Sequence, residues 1–544
     1  MLESREEQYI NHGGRIMYFL NSIDENNDFT LITKDNYFVD KTELISKLNK
    51  LVNTSRRYLC ITRPRRFGKS INALMLASYY SKNLDTKNIF DKLNIAKDPS
   101  YEKHLNKHNV IYMSFNDKNE NFTTYADYKA YFRNGLINDL RIISPDIDES
   151  MPIGKIFNEV YSKTNEGFIF IIDEWDYIFN KGICNDEEKE NFLAFLENLL
   201  KDKSYVDFAY MTGVLPIAKY FSTSFCNMFP NEHTAFDDRK YDHYFGFTEN
   251  EVVELYNKQE IKNVSLEELQ DWYDGYYTYN GTHLYNPRSV NYALSNGYCA
   301  NYWTNTSAAD EIIECIKRNV DSVKEDIVKM INGEKIRITL SGFSSEKMEF
   351  KTREQILSIL VTLGFLSYHK KYLRIPNTEL RIKFADSLKN DIFGELSKIL
   401  AMADDMLNAT LIRDTETMSR ILQDAHSKFS SVRHYNDENS ISCVITLVYL
   451  TAIDEYEILR EEPAGVGYAD FIFKPRDKVS PAFIIELKKD KSVEEALQQI
   501  RAKNYAQKLD DCTGEKFAIG INYMTENTSE DDNRRHFIKI EELE

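Results

Sequence analysis

The chain has 544 residues, enough for roughly two to four domains, and its 42% hydrophobic content supports sizeable cores. Its 68 Lys and Arg face 86 Asp and Glu, and the net charge of −18 excludes a general polyanion-coating protein, though not a local basic groove. Seven scattered cysteines without a C-x-x-C pair, a polar N-terminus and the lack of any long apolar run argue against a zinc site, a disulfide framework and a membrane span, so a reducing, cytoplasmic setting is expected.

In chain order, the first informative segment is Tyr58–Leu76, YLCITRPRRFGKSINALML. Leu59 to Thr62 reads as a buried strand, and Ile71, Leu74 and Met75 give the apolar face of a helix. The tight loop between them, ending Phe67-Gly68-Lys69-Ser70, aims backbone amides and a helix N-terminus at phosphates. Lys69 would reach the β- and γ-phosphates of ATP and Ser70 would hold Mg²⁺. The usual pattern is G-x-x-x-x-G-K-[ST], and Arg63 occupies its first glycine position. Arg65 and Arg66 flank the loop, to contact phosphate, to act across a subunit interface of a homo-oligomer, or simply to solvate a basic turn.

Val110 to Phe115 is a further strand, and Phe168 to Ile172 is an apolar run that reads as a strand buried on both faces. It ends in Asp173-Glu174-Trp175-Asp176, at the carboxyl end where open α/β sheets place ligands. Asp173 is assigned to Mg²⁺ and Glu174 to polarising the attacking water. Val206 to Met211 is another strand, closing on Thr212, which either senses the γ-phosphate or makes a plain strand-to-turn step. A strand inserted between the phosphate-loop strand and the acidic strand resembles the additional-strand P-loop ATPases.

Tyr37-Phe-Val-Asp40-Lys41-Thr42, RPRRFGKS, IIDEWD, Met211-Thr-Gly-Val, Phe245-Gly-Phe-Thr-Glu249, Trp272-Tyr-Asp-Gly-Tyr276 and Tyr285-Asn-Pro-Arg288-Ser together resemble the AAA-ATPase-like family of bacterial proteins, over roughly residues 15 to 305. The family's own loop carries arginine at the first glycine position, so the resemblance implies that Arg63 does not mark a dead site. Arg288 is a further candidate to reach nucleotide. The Trp272 to Tyr277 aromatics read as core. Beyond them, a helix and a short hairpin within residues 350 to 385 suggest a winged-helix-like connector, and residues 386 to 437 read as helical.

The second constellation is Gly465-Val-Gly-Tyr468-Ala-Asp470-Phe-Ile-Phe, followed by Ala482-Phe-Ile-Ile-Glu486-Leu-Lys488. Strand periodicity puts Glu486 and Lys488 on one face and Leu487 in the core. Two carboxylates brought together, Asp470 and Glu486, suit Mg²⁺, and Lys488 beside them can position water and offset charge on phosphorus. The order helix (438 to 451), three strands, helix (492 to 509), strand (516 to 523) resembles the PD-(D/E)XK nuclease fold over roughly residues 430 to 525. The resemblance implies supporting roles for Gln499 and Tyr505, and for Glu438 as an extra acidic residue. Tyr468 stands where relatives often carry arginine.

The expected architecture is α/β: a P-loop AAA-ATPase-like parallel sheet (15–245), a helical extension (246–345), a winged-helix-like or helical connector (346–429) and a restriction-endonuclease-like α/β domain (430–544). The leading expectation is an ATPase coupled to Mg²⁺-dependent cleavage of nucleic acid, with DNA as partner by resemblance. The alternatives are an ATP-operated switch that binds nucleic acid or a partner without cutting, and a non-hydrolysing nucleotide sensor in which Glu174 is idle.

Overall fold

The computed structural model describes residues 10–11, 15–16, 18–117, 122, 124–180, 184–216, 229, 232–233, 238–303, 308–317, 320–340, 352–432, 438–464, 467–525 and 534–543. The chain divides into two compact units. One comprises Met1–Trp303, Thr339–Glu349 and Leu357–Lys371, the other Thr304–Ile338, Phe350–Ile356 and Tyr372–Glu544.

The first unit is built on a parallel five-stranded sheet. Its strands are β1 (Tyr58–Thr62), β2 (Asn109–Ser114), β3 (Phe168–Asp173), β4 (Val206–Gly213) and the two-residue β5 (Glu232–His233), in the order β2-β3-β4-β1-β5. In space, therefore, β4 is the strand inserted between the phosphate-loop strand β1 and the acidic strand β3, and this is the additional-strand P-loop arrangement. The unbroken apolar strands follow from helices covering both faces. Phe168, Phe170 and Ile172 join a core with Phe132, Phe157 and Leu196, on helices α2 (Tyr125–Ile143), α3 (Ile153–Thr164) and α4 (Asp186–Leu200). Ile169 and Ile171 face the other way, into a core with Leu76 and Tyr79 of α1 (Lys69–Tyr80). β5, of two residues, is too short to carry a periodic signal in the sequence.

The same unit carries a small antiparallel sheet of β6 (Phe247–Thr248), β7 (Tyr276–Tyr277) and β8 (His283–Tyr285), with β8 central. Helix α5 (Pro287–Asn296) follows it. Trp272, Tyr273 and Tyr276 are buried, as expected of core, whereas Tyr277 is only half-buried.

In the middle of the chain, helix α6 (Arg353–Leu363) precedes the short strands β9 (Ser367–His369) and β10 (Tyr372–Arg374), the helix and hairpin expected there. Further helices lead to the second unit's mixed sheet of β11 (Tyr456–Ala464), β12 (Gly467–Pro475), β13 (Ala482–Lys489), β14 (Lys516–Tyr523) and β15 (His536–Glu542), in that order. Only β13 and β14 run parallel, and the chain connects them through helix α7 (Val493–Ala502). The expected long helix over 492 to 509 is two pieces. Asn504 takes a left-handed φ of +53° and separates α7 from a 3-10 turn at Tyr505–Leu509. The closing strand β15 lies beyond the elements that the sequence order implies. No helix among the described residues is long and apolar enough to cross a membrane.

Candidate functional site

The phosphate loop connects β1 to α1. Gly68 caps the helix at φ +84°, with open space where a side chain would stand, so conformation rather than room calls for glycine there. Lys69 is buried, and its Nζ donates to the Pro64 carbonyl at 2.9 Å. Burial pushes its ammonium below the usual lysine range, while Asp173, Asp176 and Glu174 pull it back up. Ser70 lies on the first turn of α1, and its hydroxyl donates to Asp173.

Parallel register brings the acidic and polar candidates to one sheet edge. Ile61 and Thr212 are level in β1 and β4, and Ile172 is level with Met211 in β3 and β4. Asp173 and Thr212, both buried, thus end neighbouring strands beside the loop. Burial raises the Asp173 carboxyl, opposed by Ser70 and Lys69. Glu174 is half-buried, and it too is raised by burial and then by the Asp173 charge. Its backbone is left-handed, φ +49°, and the next residue, Trp175, donates its N–H to the Thr212 carbonyl at 3.1 Å.

Arg65, Arg66 and Arg288 share this neighbourhood. Burial and then the nearby Arg288 charge hold Arg66 below the usual guanidinium range, with Glu174 opposing. Arg288 lies on α5, its guanidinium 5.0 Å from the Tyr292 ring centre, and its Nε donates to the Tyr302 carbonyl at 3.4 Å. Clustered cations in a chain of net charge −18 suit an anion such as a triphosphate.

Two structural residues of the site carried no role in the sequence reading. Asp176 is buried and accepts the N–H groups of Val214 and Leu215 at 3.0 and 2.7 Å, fixing the chain just after Thr212. Asp238 pairs with Arg63 in a buried ion pair. The Asp176 carboxylate is visible in the motif, but Asp238 lies 175 residues from Arg63 and carries no local signal.

In the second unit, Phe471 of β12 opposes Ile485 of β13, and one further antiparallel step sets Asp470 opposite Glu486. Asp470 Oδ2 accepts the Leu487 N–H at 2.7 Å, Lys488 Nζ donates to Glu486 Oε1 at 2.8 Å, and Leu487 turns into the core. Glu486 is 2% exposed, and its second oxygen, Oε2, is buried without a hydrogen-bond partner among the described residues. Burial, reinforced by Asp470 and opposed by Lys488, pushes the Glu486 carboxyl up to about 7. An orphaned buried carboxylate oxygen beside a second carboxylate fits a hard divalent cation.

Among the described residues, no group of three or more His, Cys, Asp or Glu gathers as a metal cluster, so the carboxylate share of this site is the Asp470–Glu486 pair. Glu438 opens helix α8 (Glu438–Val448), but its side chain, like that of Tyr468, lies outside the described residues. Gln499 and Tyr505 meet each other, Nε2 to OH at 3.3 Å, with Tyr505 buried against α7. Gly520, level with Glu486 across β14, lets α7 approach: an added Cβ would lie 2.6 Å from the Val493 carbonyl oxygen.

Residues 26–221 match the family model described as a predicted AAA-ATPase, and residues 436–532 match that of the PD-(D/E)XK nuclease superfamily. No curated protein matches the chain. Among solved structures, the Walker-type ATPase of Pyrococcus abyssi is 11% identical, covers 63% of this chain and 94% of its own, and has a TM-score of 0.31. The ORC2 protein of Aeropyrum pernix is 10% identical, covers 68% of this chain and 94% of its own, and scores 0.29. PCH-2 of C. elegans is 11% identical, covers 40% and 45%, and scores 0.16. The chain thus matches the predicted AAA-ATPase family in its N-terminal part and the PD-(D/E)XK nuclease superfamily in its C-terminal part, each over less than half of its length.

Proposed function

We propose that the protein binds and hydrolyses ATP at the Lys69 site and couples this to Mg²⁺-dependent cleavage of phosphodiester bonds in DNA at the Glu486 site. The observation that carries the cleavage reading is Glu486 Oε2, buried without a hydrogen-bond partner among the described residues, with Asp470 opposite and the Lys488 amine beside Glu486. Mg²⁺ held there by Asp470 and Glu486 would polarise the scissile phosphate and lower the pKa of bound water. Lys488, on the same face of β13, positions a water by hydrogen bonding and offsets charge developing on the phosphate oxygens.

At the nucleotide site, Lys69 exchanges the Pro64 carbonyl for β- and γ-phosphate oxygens, and the amides from Phe67 to Ser70 face the phosphates. Ser70 and Asp173 are the residues to hold the accompanying Mg²⁺. Glu174 accepts a hydrogen bond from the attacking water, and the Thr212 hydroxyl donates to the γ-phosphate. Arg65, Arg66 and Arg288 offset the charge of the triphosphate. Coupling requires that ATP favour one of two conformations energetically.

The test is cleavage of linear, circular and single-stranded DNA, with and without ATP, by wild type, Glu486→Ala and Lys488→Ala. Mg²⁺-dependent cutting lost in both variants is expected. Cutting unchanged by both substitutions would remove the assigned site.

A further inference from the structure

A cavity of about 490 Å³ lies in the first unit beside the phosphate loop. It shares Arg63, Pro64 and Phe67 with that loop but none of Lys69, Ser70, Asp173 or Glu174. Ligand cavities commonly span about 300–1,000 Å³, which admits a mononucleotide-sized molecule.

The walls are aromatic: Phe67, Phe245, Tyr276, Tyr277 and Tyr368. Phe67 and Tyr276 meet edge to face at 5.0 Å, and Tyr277 lies 5.1 Å from the His369 ring. Tyr279, 44% exposed, lines the cavity as well. Rings fixed in this way offer faces and edges to a planar ligand.

The charged lining is unequal. Asp238 is engaged by Arg63, and Asp242 accepts the N–H groups of Tyr279 and His243 at 2.7 and 2.8 Å. Lys370 and Lys371 are exposed and form no ion pair among the described residues. Both are left-handed, with φ of +49° and +70°. A two-residue turn of that kind favours Asn-Gly, so two lysines there are conformationally costly. Strain of this sort clusters at ligand sites.

We infer that this cavity is a second ligand site, taking a planar base bearing a phosphate, with the base against the tyrosines and the phosphate on the Lys370–Lys371 turn. A free mononucleotide and the end of a nucleic-acid strand share this chemistry. The site itself does not depend on the cleavage reading.

Equilibrium dialysis of the full chain against dAMP tests it, with Lys370→Asn/Lys371→Gly as the decisive variant. That variant relaxes the turn and is expected to melt no lower than wild type, yet to bind dAMP at least about tenfold more weakly. Lys69→Met is expected to keep dAMP affinity, and ribose 5-phosphate to bind at least about tenfold more weakly than dAMP for want of a ring to stack. Displacement of dAMP by a 5′-phosphorylated oligonucleotide assigns the strand end as the source, and its failure assigns the free nucleotide. Wild-type affinity in the turn variant, loss of binding in Lys69→Met, or equal affinity for ribose 5-phosphate overturns the inference.

Discussion

Arg63 and Asp238 form a buried ion pair, Nη2 to Oδ2, at 5% and 3% residue exposure. Arg63 stands at the first glycine position of the usual phosphate loop, and its side chain is held by contacts to Asp238, Thr62 and Phe245. Nη1 donates to the Thr62 carbonyl at 2.8 Å, and the guanidinium lies 5.2 Å from the Phe245 ring centre. Asp238 Oδ1 accepts the N–H groups of Lys240 and Tyr241 at 2.8 and 3.0 Å. The pair ties the loop to the segment entering Phe245.

Restoring the glycine should therefore harm the protein. Arg63→Gly leaves Asp238 buried without its cation, at a cost of about 3–5 kcal/mol. Adding Asp238→Asn should recover part of that cost, because the charge left behind is removed. Urea unfolding of the two single variants and the double variant measures the coupling. Additive single costs would mean that the pair is not a stabilising contact.

The turn after β4 is equally constrained. An alanine Cβ at Gly213 would sit 2.6 Å from Asp176 Oδ1 and 2.7 Å from Trp175 Cδ1. Gly213→Ala should displace both side chains and cost about 1–3 kcal/mol by overpacking. Because Asp176 holds Val214 and Leu215, the same substitution should also weaken ATP turnover. A variant with wild-type stability and turnover would show that this contact relaxes freely.

The reading of Glu174 as the water-polarising group predicts a split between binding and turnover. Glu174→Gln should bind ATP as wild type does and hydrolyse it about 10²–10⁴-fold more slowly. Lys69→Ala should lose binding itself. Filter binding with a labelled ATP analogue, paired with phosphate release, separates the two. Undiminished hydrolysis in Glu174→Gln would move the role to another residue.

These tests mark where the sequence is legible. Lys69 and Asp173 are readable because each sits at a change of period, from an apolar strand to a loop, and parallel strands deliver their carboxyl ends to one edge whatever their order. The strand order needs pairing information, which no single segment holds. Asp238 is unreadable for the same reason: an aspartate in a polar stretch looks solvated until the fold brings Arg63 to it. In the C-terminal sheet, alternation exposes Glu486 and Lys488 as one face, but the orphaned oxygen depends on burial by neighbouring elements. β15 follows a run of charged residues and itself alternates charge with apolar side chains, so its pairing with β14 emerges only in the folded sheet.

Glu486 yields a prediction with a definite sign. Its folded-state carboxyl is raised to about 7 by burial and by Asp470, above its ordinary value of 4.5. Between those values the folded chain binds more protons than the unfolded one, so this group makes stability fall as pH rises from about 4.5 through about 7. In chelator, Glu486→Gln should flatten that slope and stabilise the protein at pH 8 relative to wild type, on the order of 1–3 kcal/mol. A divalent cation inverts the preference, since it binds the ionised carboxylate. Adding Mg²⁺ or Mn²⁺ at pH 8 should raise the wild-type melting temperature and leave Glu486→Gln nearly unmoved. Parallel pH profiles in wild type and variant, with equal responses to metal, would mean that the orphaned oxygen neither titrates in this range nor meets the ion.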